Sequence, residues 1–174
     1  LYLGRQQLLK LWFGERTIQE WEQRLQEAQR LLKEEHYAAL EPMLGEFQEE
    51  IAAKSKAATE QEDKHQKRLY LLKALRQVSA EMGFEEVSPP RYEREGDRSS
   101  RILFAVDTLD RGKIHFTLSL DGISSFSEVA EDRCFEEFDQ LSEYLEEEFG
   151  IQTEFRREDG TRPPKLIRKG EMDL

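Results

Sequence analysis

Two long stretches without glycine or proline constrain this chain more than any other feature of its sequence. Neither residue occurs from Glu15 to Glu41 or from Glu46 to Met82. Because glycine and proline are the residues that most often interrupt helices, both stretches can form long continuous helices. Their many Glu, Gln, Arg and Lys residues are good helix formers that leave one face solvated. The sequence therefore predicts that the first half of the chain is largely helical.

The first stretch carries apolar residues at alternating spacings of three and four, which is typical of a coiled-coil seam. Thr17, followed three residues later by Glu20, matches a capping box at the start of a helix. Glu35 is the one polar residue in the seam. The seam consists of Ile18, Trp21, Leu25, Ala28, Leu32 and Ala39. We expect this face to pack along a second helix.

The second helix is predicted over roughly Met43 to Met82. Pro42 suits its first turn, because the N–H that proline lacks has no partner there. Gly83 suits the C′ position that ends it, where a left-handed backbone is common.

A reversal near Pro42 would pair residues whose numbers sum to about 83 or 84. Leu25 would then face Ala58, and Leu32 would face Ile51. Large side chains opposite small ones allow facing layers to interdigitate. We therefore expect an antiparallel helical hairpin, with a parallel dimer kinked at Pro42 as the alternative.

Beyond residue 83 the apolar period shortens to two, as in strands. Apolar and polar residues alternate in residues 101–108 and 113–120, which predicts two strands. A third strand is expected at residues 123–129, after a turn, and an edge strand at residues 84–88, ending at Pro89. Helical spacing returns near Cys134 in a strongly acidic segment that ends at Gly150, and a last strand is expected at residues 151–155.

The predicted fold class is α+β. A long antiparallel, coiled-coil-like helical hairpin (residues 1–83) precedes a small α+β domain (residues 84–160) with a mostly antiparallel sheet of three to five strands and one amphipathic acidic helix. Residues 161–174 are predicted to form a flexible tail rich in proline and basic residues.

Composition excludes several classes of protein. The 37 acidic and 26 basic residues give a net charge of −11, which disfavours broad nonspecific DNA binding. No apolar run approaches the length of a membrane-spanning helix, and no signal peptide is recognisable. The single cysteine is typical of a reducing compartment, so we expect a cytoplasmic protein. Because the first residue is Leu1 rather than Met, we also expect a piece of a longer chain.

Catalytic signatures are missing from the sequence. There is no phosphate-binding loop, dinucleotide fingerprint or Gly-x-Ser-x-Gly elbow. His36, His65 and His115 have no second ligand at metal-binding spacing. Acidic neighbours raise the pKa expected for the thiol of Cys134, which disfavours a nucleophilic role. We therefore expect no enzyme, no metal site, no cofactor and no small-molecule ligand.

Two groups of residues are candidates for a partner interface. The apolar run at residues 8–13 includes Trp12 and Phe13, and Trp21 follows in the seam; exposed aromatic residues of this kind often lie at binding sites. The competing interpretation is that this run packs on residues 69–82. The second group is the set of basic residues in the tail, Arg162, Lys165, Arg168 and Lys169.

These observations favour a noncatalytic protein–protein interaction or assembly subunit. Its hairpin would act as a spacer and its α+β domain as a docking module within a larger complex, with self-association through the helices as one option. The alternative is an accessory region of an ATPase- or nuclease-containing DNA-processing or defence machine whose active site lies outside this segment. Nucleic-acid binding would depend on the basic tail alone.

Overall fold

The computed structural model describes residues 4–108, 112–127 and 131–153. It confirms an α+β chain in which a helical hairpin precedes an antiparallel sheet and a further helix. In the described residues the elements are α1 Arg5–Lys33, α2 Tyr37–Glu81, β1 Glu85–Tyr92, β2 Ile102–Asp107, β3 Lys113–Leu118, β4 Ile123–Ser127 and α3 Glu131–Phe149.

The chain divides into two compact units. The first comprises Leu1–Lys67 with Gly96–Ser100, and the second comprises Arg68–Glu95 with Arg101–Leu174. The boundary lies inside α2 rather than at the predicted residue 83, because the apolar residues at the end of this helix pack with the sheet.

Helix α1 begins earlier than its sequence signals indicated. It starts at Arg5, and Gly14 interrupts it with a non-helical backbone (φ 79°, ψ 166°). The predicted capping box is wrong, because Thr17 lies inside the helix and its hydroxyl donates a hydrogen bond to the carbonyl of Phe13 (3.0 Å). Glycine reaches positive φ without steric cost, so α1 bends at this position.

The chain reverses at residues 34–36 and not at Pro42, which lies inside α2. A Schellman motif ends α1: the N–H of Glu35 donates to the carbonyl of Leu32 (3.3 Å), and that of His36 donates to Leu31 (2.9 Å). Glu35 occupies the C′ position with a left-handed backbone (φ 59°). Because glycine usually holds this position, the sequence carried no signal for the true turn.

We expect Glu35→Gly to stabilise the hairpin by about 0.5–1 kcal/mol, because a left-handed backbone strains every residue with a Cβ atom. Urea unfolding followed by tryptophan fluorescence measures this effect, since both tryptophans of the chain lie in the first unit. Glu35→Ala is the matched control, because it removes the charge and keeps the Cβ. A Gly variant no more stable than the Ala variant would contradict the strain argument.

The hairpin is antiparallel, as predicted, but its register differs. The ring of Trp21 packs edge-on against Phe47 (centroids 6.0 Å apart), whereas a reversal at Pro42 would place it near residue 62. The expected contacts of Leu25 and Leu32 with Ala58 and Ile51 are therefore wrong, and both leucines are exposed. The core of the first unit consists of Leu9, Ile18, Trp21, Phe47 and Ala58.

The second unit has a core between helices and sheet. Within the described residues the strand order is β1-β2-β3-β4, and every neighbouring pair is antiparallel. Burial alternates along β2 and β3, as the period of two predicted. The buried core consists of Ala74, Leu75 and Val78 of α2, Ile102, Phe104 and Val106 of β2, Ile114, Phe116 and Leu118 of β3, and Phe138, Leu141 and Leu145 of α3.

The ends of three elements show how well the sequence located boundaries. Gly83 (φ 79°) and Gly150 (φ 63°) follow α2 and α3 in left-handed conformations, as predicted. Strand β1 continues through Pro89 and Pro90, where it was expected to stop; an edge strand tolerates prolines, and its pairing with β2 is irregular there. Residues 151–153 form no strand, and the rest of that predicted strand and the tail at 161–174 lie outside the described residues.

Candidate interaction surface

One flank of the hairpin is closed by charged side chains. The indole N–H of Trp21 donates to Oε1 of Glu50 (3.1 Å), and Glu50 also forms ion pairs with Arg24 and with Lys54 (3.5 Å). The Lys54 ammonium lies over the rings of Phe13 (5.4 Å) and Trp21 (5.7 Å). The hydrogen bond from Trp21, with help from Arg24, lowers the pKa of Glu50. We call Arg24, Glu50 and Lys54 the ion-paired flank.

A second carboxylate is surrounded by donors elsewhere in the first unit. Glu62 accepts hydrogen bonds from the Trp12 indole (3.0 Å), from Gln66 (2.6 Å) and from Nη2 of Arg98, which lies 3.0 Å from both carboxylate oxygens. The Arg98 guanidinium lies over the Trp12 ring (5.8 Å), and the rings of Trp12 and His65 meet edge to face with their centroids 5.9 Å apart. We call these residues the Glu62 cluster.

The pKa of Glu62 reflects opposing effects. Burial of its side chain, which is 14% exposed, would raise the pKa. Hydrogen bonds from Gln66 and Trp12, together with the positive charge of Arg98, outweigh burial and hold the pKa below its ordinary value. The carboxylate is ionised at neutral pH and is held by its own neighbours. Its arrangement serves the stability of the hairpin.

The three aromatic residues predicted for a partner interface lie within these contacts. Trp21 is buried, and Trp12 and Phe13 are half-buried against the core of the first unit. The apolar run that contains them contributes to the core of the first unit, where Leu9 is buried and Leu8, Trp12 and Phe13 pack against it. The predicted basic residues Arg162, Lys165, Arg168 and Lys169 lie outside the described residues.

Large apolar side chains are exposed near the reversal of the hairpin. Leu25 (47% exposed) and Leu32 (54%) lie seven residues apart on α1, and Tyr37 (58%) and Leu44 (36%) lie seven apart on α2. Residues seven apart share one side of a helix. The reversal at Glu35 and the contact of Trp21 with Phe47 bring residues whose numbers sum to about 69 to the same level of the hairpin, from which we infer that Leu32 lies near Tyr37 and Leu25 near Leu44. We call these four side chains the tip patch.

An open groove of about 480 Å³ continues along the same flank. Ile51 and Ala58, two of its lining residues, extend the seven-residue spacing of Tyr37 and Leu44 along α2. Most of the other lining residues have small or polar side chains. The full lining is Leu8, Gln48, Ile51, Ala52, Ser55, Lys56, Ala58 and Thr59.

The groove and the ion-paired flank lie on different sides of α2. At about 100° per residue, Ser55 in the groove is roughly 140° around the helix from Glu50. One flank of the hairpin is thus closed by ion pairs, whereas the other presents the tip patch and the groove.

Sequence reasoning missed both the carboxylates of the closed side and the exposed flank. Glu50 and Glu62 are two of many acidic residues, and nothing in the local sequence marks them as partners of Trp21 and Trp12. The apolar spacing placed Leu25 and Leu32 in the seam of the hairpin, whereas both side chains are exposed. Their exposure followed only from the position of the turn.

The described part of the chain contains no group of three His, Cys, Asp or Glu side chains placed to hold a metal ion. Among the described residues, no helix combines the length and the apolar character needed to cross a membrane. His36 is exposed beside Glu34 (3.5 Å), His65 is buried, and the side chain of Cys134 lies outside the described residues.

Comparison of the chain with protein-family models, curated proteins and solved structures gave no significant match.

Proposed function

We propose that this chain is a noncatalytic protein–protein interaction subunit of a larger complex, which binds a partner through the flank formed by the tip patch and the groove. The exposure of Leu25, Leu32, Tyr37 and Leu44 on one flank of the hairpin carries this proposal. Contiguous exposed apolar side chains on a soluble domain usually mark an interaction site.

The energetics support a binding role for this flank. Burial of apolar surface stabilises a complex by roughly 25 cal/mol per Å², so covering a half-exposed leucine contributes on the order of 1 kcal/mol. A two-helix hairpin has no third layer to cover both sides of its seam. The ion pairs of Glu50 close one side, and a partner would close the other.

The remaining parts of the chain have complementary roles in this proposal. The hairpin serves as a spacer, and the α+β domain serves as a docking module for another component of the complex. A protein with a single cysteine suits a reducing compartment, so we place the complex in the cytoplasm.

Photo-crosslinking in the native cell tests the proposal without knowledge of the partner. We expect a photoreactive amino acid at Leu32 or Leu44 to give discrete protein adducts, because a bound partner would lie directly over these positions. The control is the same group at Gln23, which is exposed and lies roughly 160° around α1 from Leu25. Equal adduct yields at Gln23 and Leu32, or none at either, would contradict the proposal.

A further inference from the structure

We infer that the partner on this flank is a second copy of the chain, bound antiparallel so that the tip patch of each copy fills the groove of the other. This inference rests on the proposed function and names the occupant of the same surface.

The two halves of the flank complement one another in size. The tip patch presents three leucines and Tyr37, whereas the exposed part of the groove has the small side chains of Ala52, Ser55 and Thr59. Large side chains against small ones give close packing between facing helices. Both halves lie on one flank, so a two-fold axis between them brings each tip patch onto the groove of the other copy. Such a self-complementary contact closes the dimer.

The available area suits a stable dimer. From Tyr37 to Thr59, α2 runs about 33 Å, and two helices side by side are about 20 Å wide. The flank therefore offers on the order of 650 Å² per copy, which approaches the roughly 800 Å² per partner of standard interfaces. The product is a four-helix bundle, an arrangement in which each hairpin covers the seam of the other.

The charges bordering the flank are also complementary in this arrangement. Glu22 and Glu41 each lie three residues before a leucine of the tip patch, Leu25 and Leu44 respectively. Lys56 lines the groove and pairs loosely with Glu60 of its own helix (3.9 Å), a contact that leaves its side chain 79% exposed. The antiparallel arrangement brings the acidic border of one copy toward Lys56 of the other, whereas a parallel arrangement brings the acidic borders together. Opposite charges at a rim favour the correct register and partner.

The mass of the full chain, measured by sedimentation equilibrium between about 1 and 200 µM, tests the inference first. We expect a dimer of twice the 20.5 kDa chain. The double variant Leu25→Glu/Leu44→Glu should weaken dimerisation at least about 100-fold, because it replaces four leucines of the dimer interface with charged side chains. Ala52→Arg, which fills the groove, should have the same effect. Gln23→Glu adds a matched charge on another side of α1 and should leave the dimer intact.

Disulfide formation then tests the direction of pairing in a Cys134→Ser background. Mixing the single variants Leu44→Cys and Ser55→Cys under mild oxidation should give mainly the mixed disulfide. A predominant Leu44→Cys homodimer would show a parallel arrangement and overturn the inference. Circular dichroism of each variant monomer checks that the helices persist, so that loss of the dimer is not loss of the fold.

The remaining outcomes separate this inference from the proposed function. A monomer whose Leu32 photo-adduct contains a different protein overturns the second copy as occupant and leaves the proposed function standing. A monomer without specific adducts overturns both. A monomer that dimerises only after deletion of residues 154–174 would show that the chain's own tail covers the flank, and would also overturn the inference.

Discussion

Phe116→Ala lowers the free energy of unfolding of the second unit by about 3–5 kcal/mol. This side chain is 1% exposed, pairs in register with Phe104 across β2 and β3, and stacks on its ring with centroids 5.8 Å apart. Removing it forfeits the burial of a full aromatic ring and leaves a cavity between helices and sheet. A loss of this size is a large fraction of the stability of a small domain.

Hydrogen exchange of the β2 and β3 amides measures this loss directly. Tryptophan fluorescence should change little, because both tryptophans lie in the first unit. Val87→Ala is the control: this residue is 45% exposed on the edge strand, and its truncation should cost less than about 0.5 kcal/mol. A loss below about 1 kcal/mol for Phe116→Ala would contradict the assigned core.

Glu62→Ala is expected to destabilise the hairpin by about 2–3 kcal/mol. The substitution removes the acceptor of the Trp12 indole and of Gln66, and leaves the Arg98 guanidinium without this carboxylate. Polar groups that lose a buried charged partner remain shielded from water without a replacement hydrogen bond, which destabilises the folded state. Urea unfolding followed by tryptophan fluorescence reports the effect, since Trp12 contacts the altered site.

The control for Glu62 lies on the same helix. The side chain of Glu60 is 61% exposed and pairs with Lys56 at 3.9 Å, so Glu60→Ala should change stability by less than about 0.5 kcal/mol. Equal effects of the two substitutions would mean that the Glu62 cluster contributes no more than a surface ion pair.

The pH dependence of stability gives an independent reading of the Glu62 cluster. Because folding lowers the pKa of Glu62, its contribution is fully present above the unfolded value of about 4.3 and is lost as pH falls through the lower folded value. The pKa of Glu50 is lowered as well, so both carboxylates contribute to acid destabilisation. Glu62→Gln should reduce the loss of unfolding free energy that accompanies a fall in pH below about 4.3, and a Glu62→Gln/Glu50→Gln variant should reduce it further.

Sequence reasoning located the elements of this chain better than their mutual contacts. The predicted change from helices to strands was correct, because the buried face of a helix or a strand requires apolar residues at the spacing of that element. Gly83 and Gly150 marked two helix ends because their left-handed conformations match the residue type. Glu35 adopts the same conformation without that marker, so the turn of the hairpin was misplaced.

The misplaced turn explains why the candidate interface moved from the aromatic residues predicted from the sequence to the exposed leucines of α1. With the reversal at Pro42, Leu25 and Leu32 would have been core residues. With the reversal at Glu35, they are exposed, and Trp21 packs on Phe47 instead. An amphipathic pattern states which side of a helix is apolar, but not which residues of another helix will meet it.

The amino-acid sequence by itself determined the α+β class, the long helices and the alternating strands, because these depend on residues close together in the chain. Only the tertiary structure decided that Glu50 and Glu62 accept the two indole N–H groups, and that one flank is closed while the other exposes the tip patch and groove. Those contacts join residues far apart in sequence, and a shift of a few residues at a single turn reassigns all of them.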